Sequence, residues 1–248
     1  MILKPAAECL LRNPQCKAFF FILLTFSVVF AVSAQVPNNA ADTSTIRGEV
    51  VVDLEPIYAG YADDEYPLDI PSASRRALEE AAMLFSGMIY GWSFNYEIGE
   101  RARQIDEILE LQPVGSIQSG DPGLRVTDTE IRDMRLRVWM DYEMDITQHR
   151  RMNVWRSGTI RNAQSTGYGP VSLDEYPGWI VLKQIALEDA ARAALRAMLQ
   201  GNERNRPKEA IGFISLASFP RYYIDSGRWA VSARFRVQIT DIIPFAAY

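Results

Sequence analysis

Two of the side chains that most often carry protein chemistry are nearly missing here. Cysteine occurs twice in 248 residues and histidine once. Cys9 and Cys16 both precede the apolar run that ends at Phe30, so the chain beyond it has no thiol. That removes disulfides, thiolate metal sites and cysteine nucleophiles from the rest of the sequence. The one imidazole, His149, sits between Gln148, Arg150 and Arg151 and reads as a solvated loop residue. A zinc site would have to lean on carboxylates, and a Ser-His-Asp triad would have a single base to draw on. Motifs are scarce as well. There is no Gly-x-Ser-x-Gly, no Ser-x-x-Lys, no Gly-x-x-x-x-Gly-Lys and no Gly-x-Gly-x-x-Gly. A nucleophile elbow and a phosphate-cradling loop are therefore not expected, and no cofactor is implied.

An excess of positive charge is also lacking, with 26 Lys and Arg against 31 Asp and Glu. The exception is the N-terminus. Lys4, Arg12 and Lys17 lead into a run from Ala18 to Phe30, and Val32-Ser33-Ala34 follows. This is the pattern of a secretory signal, with cleavage expected after Ala34 and export to the periplasm or beyond. The competing expectation is an uncleaved single-pass anchor, for which an apolar run of about 17 residues is short. No cysteine directly follows the run, so lipid attachment is not expected. Without residues 1–34 the balance becomes 23 against 30, a net charge of −7. Such an acidic protein is a poor general binder of nucleic acid, which depends on phosphate neutralisation.

What the sequence does have is periodicity. Over 229–243, Trp229, Val231, Ala233, Phe235, Val237 and Ile239 alternate with Ser232, Arg234, Arg236, Gln238 and Thr240. That is the period of a half-buried strand. Asp225-Ser226-Gly227 separates it from residues 219–224 at hairpin spacing. Residues 134–146 alternate likewise. Leu136, Val138, Met140, Tyr142, Met144 and Ile146 face inward, while Arg135, Arg137, Trp139, Asp141, Glu143 and Asp145 face outward. Further strands are expected at 47–58, 88–97, 124–131 and 211–216. Over 88–97 the alternative is a preceding helix that continues through Tyr90.

Two main helices are expected, at 74–86 and 179–200. The first carries the stripe Ala77, Leu78, Ala81, Ala82 and Phe85, with Ser72 or Ser74 as cap and Gly87 as stop. The second follows the capping-box spacing Ser172-Leu173-Asp174-Glu175 and stops at Gly201. A short helix is expected at 100–111, ended by Pro113, and residues 148–170 show no period. The expected fold is α+β, antiparallel sheets covered on one face by the two main helices. The layout is a signal (1–34), a flexible tether (35–46) and one exported domain (47–248). Residues 77–82 echo 186–191, so two related helix-then-strands units, 47–147 and 172–248, are a variant of this plan.

Candidate sites are few. Asp63, Asp64, Glu65 and Asp69 offer hard oxygen donors, but not at EF-hand spacing, and read as a solvated acidic loop. Asp141 and Glu143 stand two strand rises apart, about 6–7 Å, between the separations of the two glycosidase classes. Arg135 and Arg137 on the same face make a charged sheet surface the ordinary reading. Residues 132–161 hold seven arginines against Asp133, Asp141, Glu143 and Asp145. Trp139 and Trp155 are interleaved with them. Arginine and tryptophan dominate interface energetics, so Arg135, Arg137, Trp139, Arg150, Arg151 and Trp155 are the candidate docking set. The partner would be another envelope or periplasmic protein, or an acidic envelope polymer. The expectation is an exported, non-enzymatic structural or binding protein of the cell envelope. The alternatives are an exported hydrolase using Asp141 and Glu143, and a membrane-anchored periplasmic protein.

Overall fold

The organising strand is the last one. β9 (Arg228–Pro244) runs for 17 residues and pairs along one edge with β6 (Arg161–Tyr168). Its other edge is shared by β8 (Arg221–Asp225) and then β7 (Pro207–Leu216). β7 continues the sheet into β2 (Trp92–Glu97) and β3 (Ile108–Pro113), giving the order β3-β2-β7-β9-β6 with β8 beside β9. A smaller sheet has the order β1-β5-β4, from β1 (Thr45–Asp53), β4 (Leu124–Arg132) and β5 (Arg135–Glu143). All these pairings are antiparallel. The fold is α+β, about 30% helix and 45% strand.

The structure, a computed structural model, describes residues 44–56, 65–99, 106–170, 178–200 and 207–244. The expected leader, the tether up to residue 43, Asp63, Asp64 and the Ser172 capping box lie outside the described residues. Ser44–Tyr248 forms one compact unit. Among the described residues no helix is long and apolar enough to cross a membrane.

Helix α1 (Ile70–Ile89) packs against β1 and β5 of the smaller sheet and β7 of the larger, so one helix serves two sheets. Its cap is Asp69, which accepts from Ser72 N at 2.8 Å, rather than Ser72 or Ser74. The helix does not stop at Gly87. Met88 and Ile89 are buried one turn beyond Leu84 and Phe85, so the 3.6-residue period continues and the chain turns at Gly91, at φ +65°. The strand expected over 88–97 therefore begins only at Trp92. Gly87 keeps a different role, because a Cβ there would stand 2.4 Å from the Trp92 ring.

Helix α3 (Trp179–Gln200) rides on β6 and β9. It does so closely: a Cβ at Gly167 would meet Ala190 N at 2.0 Å, and Ser165 Oγ donates to Ala190 O at 2.7 Å. The small face of β6 is matched by Ala186, Ala190 and Ala194 of the helix, all buried. Each fully buried Leu, Ile or Phe beneath these helices adds about 1.5–3 kcal/mol of transfer free energy.

Four further expectations change. Residues 108–111 are strand β3, not helix, with Leu109 and Leu111 half-buried against β2; residues 100–105 lie outside the described residues. Residues 45–46 belong to β1 rather than to a tether. The aperiodic stretch holds helix α2 (Ile146–Trp155) and strand β6. Ile146, expected inside a strand, is the first helical residue and is 69% exposed. Strand β2 of the first helix-then-strands segment pairs with β7 of the second, so the two segments share the larger sheet.

Candidate functional site

The outer face of the smaller sheet gathers three of the six docking candidates. Arg135 Nε lies 2.8 Å from Asp53, and Arg137 Nη1 lies 3.5 Å from Glu49. Arg47 and Asp141 pair at 3.1 Å, Arg125 and Glu143 at 3.0 Å. Each pair crosses from one strand to its neighbour, so the arginines are matched by acids and do not make a basic patch. Pairs this exposed contribute about 0–1 kcal/mol apiece; their value is in fixing the register and presenting a charged surface. Half-buried Trp139 stands among them, opposite Glu49 on β1 and Asp128 on β4. Burial raises the Asp53 carboxyl above its ordinary value, against the pull of Arg135.

The other three candidates are elsewhere. Helix α2 is capped by Asp145, which accepts from Gln148 N, while the Gln148 side chain returns to Asp145 N. That Asp-x-x-Gln box was present in the sequence and is the signal that finds the helix. Gln148 Nε2 also donates to Tyr90 and Tyr142 hydroxyls at 2.9 and 2.8 Å. Tyr142 belongs to the inner face, so α2 lies on the opposite side of the sheet from Trp139. Trp155 is buried and donates its indole N–H to Ile89 O at 3.1 Å. It is a core anchor, not a docking residue. Arg151 sits over the Tyr90 ring at 5.6 Å, and Arg150 is exposed.

The β4–β5 hairpin was not singled out by sequence reasoning. β4 is one of the two edge strands of the smaller sheet, pairs among the described residues with β5 alone, and is exposed from Arg125 through Arg132. Val126, Ile131 and Met134 on this hairpin are 48%, 57% and 52% exposed. At the tip, Asp133 and Met134 have φ of +51° and +56°, the left-handed pair of a two-residue hairpin turn usually filled by Asn-Gly. A methionine is a costly occupant of that conformation.

A groove of about 510 Å³ opens between α1 and α3. Met83, Ile180 and Leu187 form its apolar walls, Trp92 and Phe235 its floor, and Glu79 and Glu188 are among its polar lining. The loop after β3 closes one end, pinned where Ile117 N donates to Ser86 Oγ at 2.7 Å. Near it, Lys183 and Glu80 join α3 to α1 in a buried ion pair at 2.5 Å. Lys183 Nζ lies 5.0 to 5.8 Å from the ring centres of Tyr222, Trp229 and Trp179. Burial raises the Tyr222 hydroxyl well above its ordinary range.

The acidic-loop residues within the described part are engaged in the fold. Glu65 pairs with Arg76 at 2.8 Å, and Asp69 caps α1. Among the described residues no group of three His, Cys, Asp or Glu is placed to hold a metal ion.

These features describe an α+β domain with an open sheet edge and an interhelical groove. A family model covers residues 32–245, and the chain belongs to that family, a domain of unknown function. It is similar to an uncharacterized protein of Treponema pallidum (strain Nichols), 23% identical over 236 residues, covering 92% of this chain and 96% of that protein. No solved structure matches it.

Proposed function

We propose that this chain is an exported, non-enzymatic binding protein of the cell envelope, docking another envelope protein through the β4–β5 hairpin and the Trp139 face. The observation that carries the reading is Met134. Met134, half-exposed at the tip of an edge hairpin and held at φ +56°, carries a conformational cost that Gly or Asn at that position would largely avoid. Strained residues of this kind cluster where a partner or ligand is met. Val126 and Ile131 lie along the same edge strand, paired with the inward Met140 and Leu136 and so on the face opposite Trp139, and edge strands are ready templates for another chain. Pairing of the face arginines with acids favours a protein partner of mixed charge over an acidic polymer. Export rests on the leader pattern, with Lys4, Arg12 and Lys17 ahead of the apolar run from Ala18 to Phe30.

The hydrolase alternative draws less support, since Asp141 and Glu143 are each tied to a cross-strand arginine on the open face. The test pairs two readouts. N-terminal sequencing of the protein recovered from cells should begin at Gln35. Replacing the tip with Asn-Gly (Asp133→Asn, Met134→Gly) should raise the unfolding midpoint while lowering capture of an envelope partner by the full chain. A variant that captures as well as the parent, or a parent that captures nothing and is monomeric, would sink the docking role.

A further inference from the structure

We infer that the groove between α1 and α3 is a binding site for a small cationic amphiphile, a linear apolar body with one ammonium or guanidinium head. This is independent of the sheet edge. The volume of about 510 Å³ falls within the roughly 300–1,000 Å³ of small-ligand sites, which are apolar with a few placed polar groups. The floor and walls meet that description: Trp92, Phe235, Met83, Ile180 and Leu187 present rings and aliphatic chains.

The groove is also built into the backbone. A Cβ at Gly87 would meet Trp92 at 2.4 Å, and one at Gly115 would meet the Tyr90 ring at 2.8 Å. The two glycines let the floor and the end loop close on the α1 terminus. The buried Glu80–Lys183 pair ties the helices together beside the groove.

The charge of the lining selects the head group. Glu79 and Glu188 line the groove, and among the described residues none of its lining side chains is Lys, Arg or His. Glu188 still reaches solvent, yet its surroundings raise its carboxyl above the ordinary value, with Arg192 opposing. Arg192 is itself paired with Asp189 at 3.1 Å. One exposed carboxylate on each helix, Glu79 on α1 and Glu188 on α3, with no cationic side chain among the described lining residues, favours a positive head and disfavours a negative one.

The experiment titrates the full chain with dodecyltrimethylammonium, dodecyl maltoside and dodecyl sulfate below their micelle concentrations, followed by calorimetry and tryptophan fluorescence. The expected result is saturable one-to-one binding of the cationic probe, about tenfold or more tighter than the anionic one. Glu79→Gln with Glu188→Gln should erase that preference while leaving the circular dichroism spectrum unchanged. Gln184→Trp, placed in the lining at an exposed position, should weaken all three probes by obstructing the groove. Equal affinity for the three heads, or a cationic preference that survives the double amide variant, would overturn the assignment.

Discussion

Lys183 Nζ meets Glu80 Oε2 at 2.5 Å across 103 residues of sequence, with 7% and 3% of the two side chains exposed. Desolvation raises the Glu80 carboxyl, and the ammonium of Lys183 opposes it. Such a pair is poor at adding stability and costly to break. Lys183→Met leaves a buried carboxyl unpaired and should cost about 3–5 kcal/mol, whereas Glu80→Leu combined with Lys183→Met should recover most of that loss. Urea denaturation of the two variants checks this. A double variant no more stable than the single one would mean that Lys183 acts through its three aromatic neighbours rather than through Glu80.

The turn that ends α1 supplies a second prediction. Gly91 has φ +65°, and a Cβ there would lie 2.3 Å from Ile214 O in β7. Left-handed backbone alone costs an L-residue about 1–2 kcal/mol, and the carbonyl must also move. Gly91→Ala should therefore lower stability by more than that conformational cost, and it should loosen the β2–β7 junction. Thermal unfolding measures the first effect. Hydrogen exchange at β2 amides measures the second, and unchanged protection there would show that the strands absorb the shift.

Strand β9 and the inner face of β5 were legible because their period of two survives in the side chains: Phe235 and Val237, like Val138 and Met140, are buried as expected. Strand β6 was not. β6 reads as a polar loop, since Gly167 and Ser165 are there to admit Ala190, a requirement set by a helix some 25 residues away. At 88–97 two periods overlap, and the burial of Met88 and Ile89 decides for the helix. The arginines of the candidate site were visible, but not their partners: Asp53 and Glu49 come from β1, 82 and 88 residues distant. Local charge counting cannot see such pairs, and so it overstated how basic the face is.

The two tryptophans once grouped together should now behave as opposites. Trp155 is buried and bonded to Ile89 O, so Trp155→Ala should cost about 3–5 kcal/mol. Trp155→Phe keeps most of the volume and strands one carbonyl, for about 1–3 kcal/mol. Trp139 lies half-buried on the open sheet face, and Trp139→Ala should cost clearly less than Trp155→Ala while reducing partner capture. Comparable destabilisation by the two alanine variants would contradict the placement of Trp155 in the core.

Acid sensitivity should be concentrated at the Glu107 cluster. Arg196 Nε donates to Glu107 Oε1 at 2.9 Å, and Tyr96 donates its hydroxyl to the same carboxylate. Partial burial pushes the Glu107 carboxyl up, but the bonds from Arg196 and Tyr96 outweigh it and hold it below the ordinary 4.5. A carboxyl lowered in the folded state stabilises above its unfolded value, and that contribution fades as pH falls through the folded one. Glu107→Gln should therefore destabilise the protein at about pH 7, and the difference from the parent should shrink progressively as pH falls below the ordinary carboxyl value of 4.5. At the alkaline end the order reverses for Tyr96. Its hydroxyl is raised by burial and by Glu107, so the folded state keeps its proton longer and stability declines as pH climbs past the ordinary value of 10.0. Urea midpoints across both limbs, for parent and Glu107→Gln, separate the two groups. A difference that stays constant from neutral to acid pH would remove Glu107 as the acid-sensitive element.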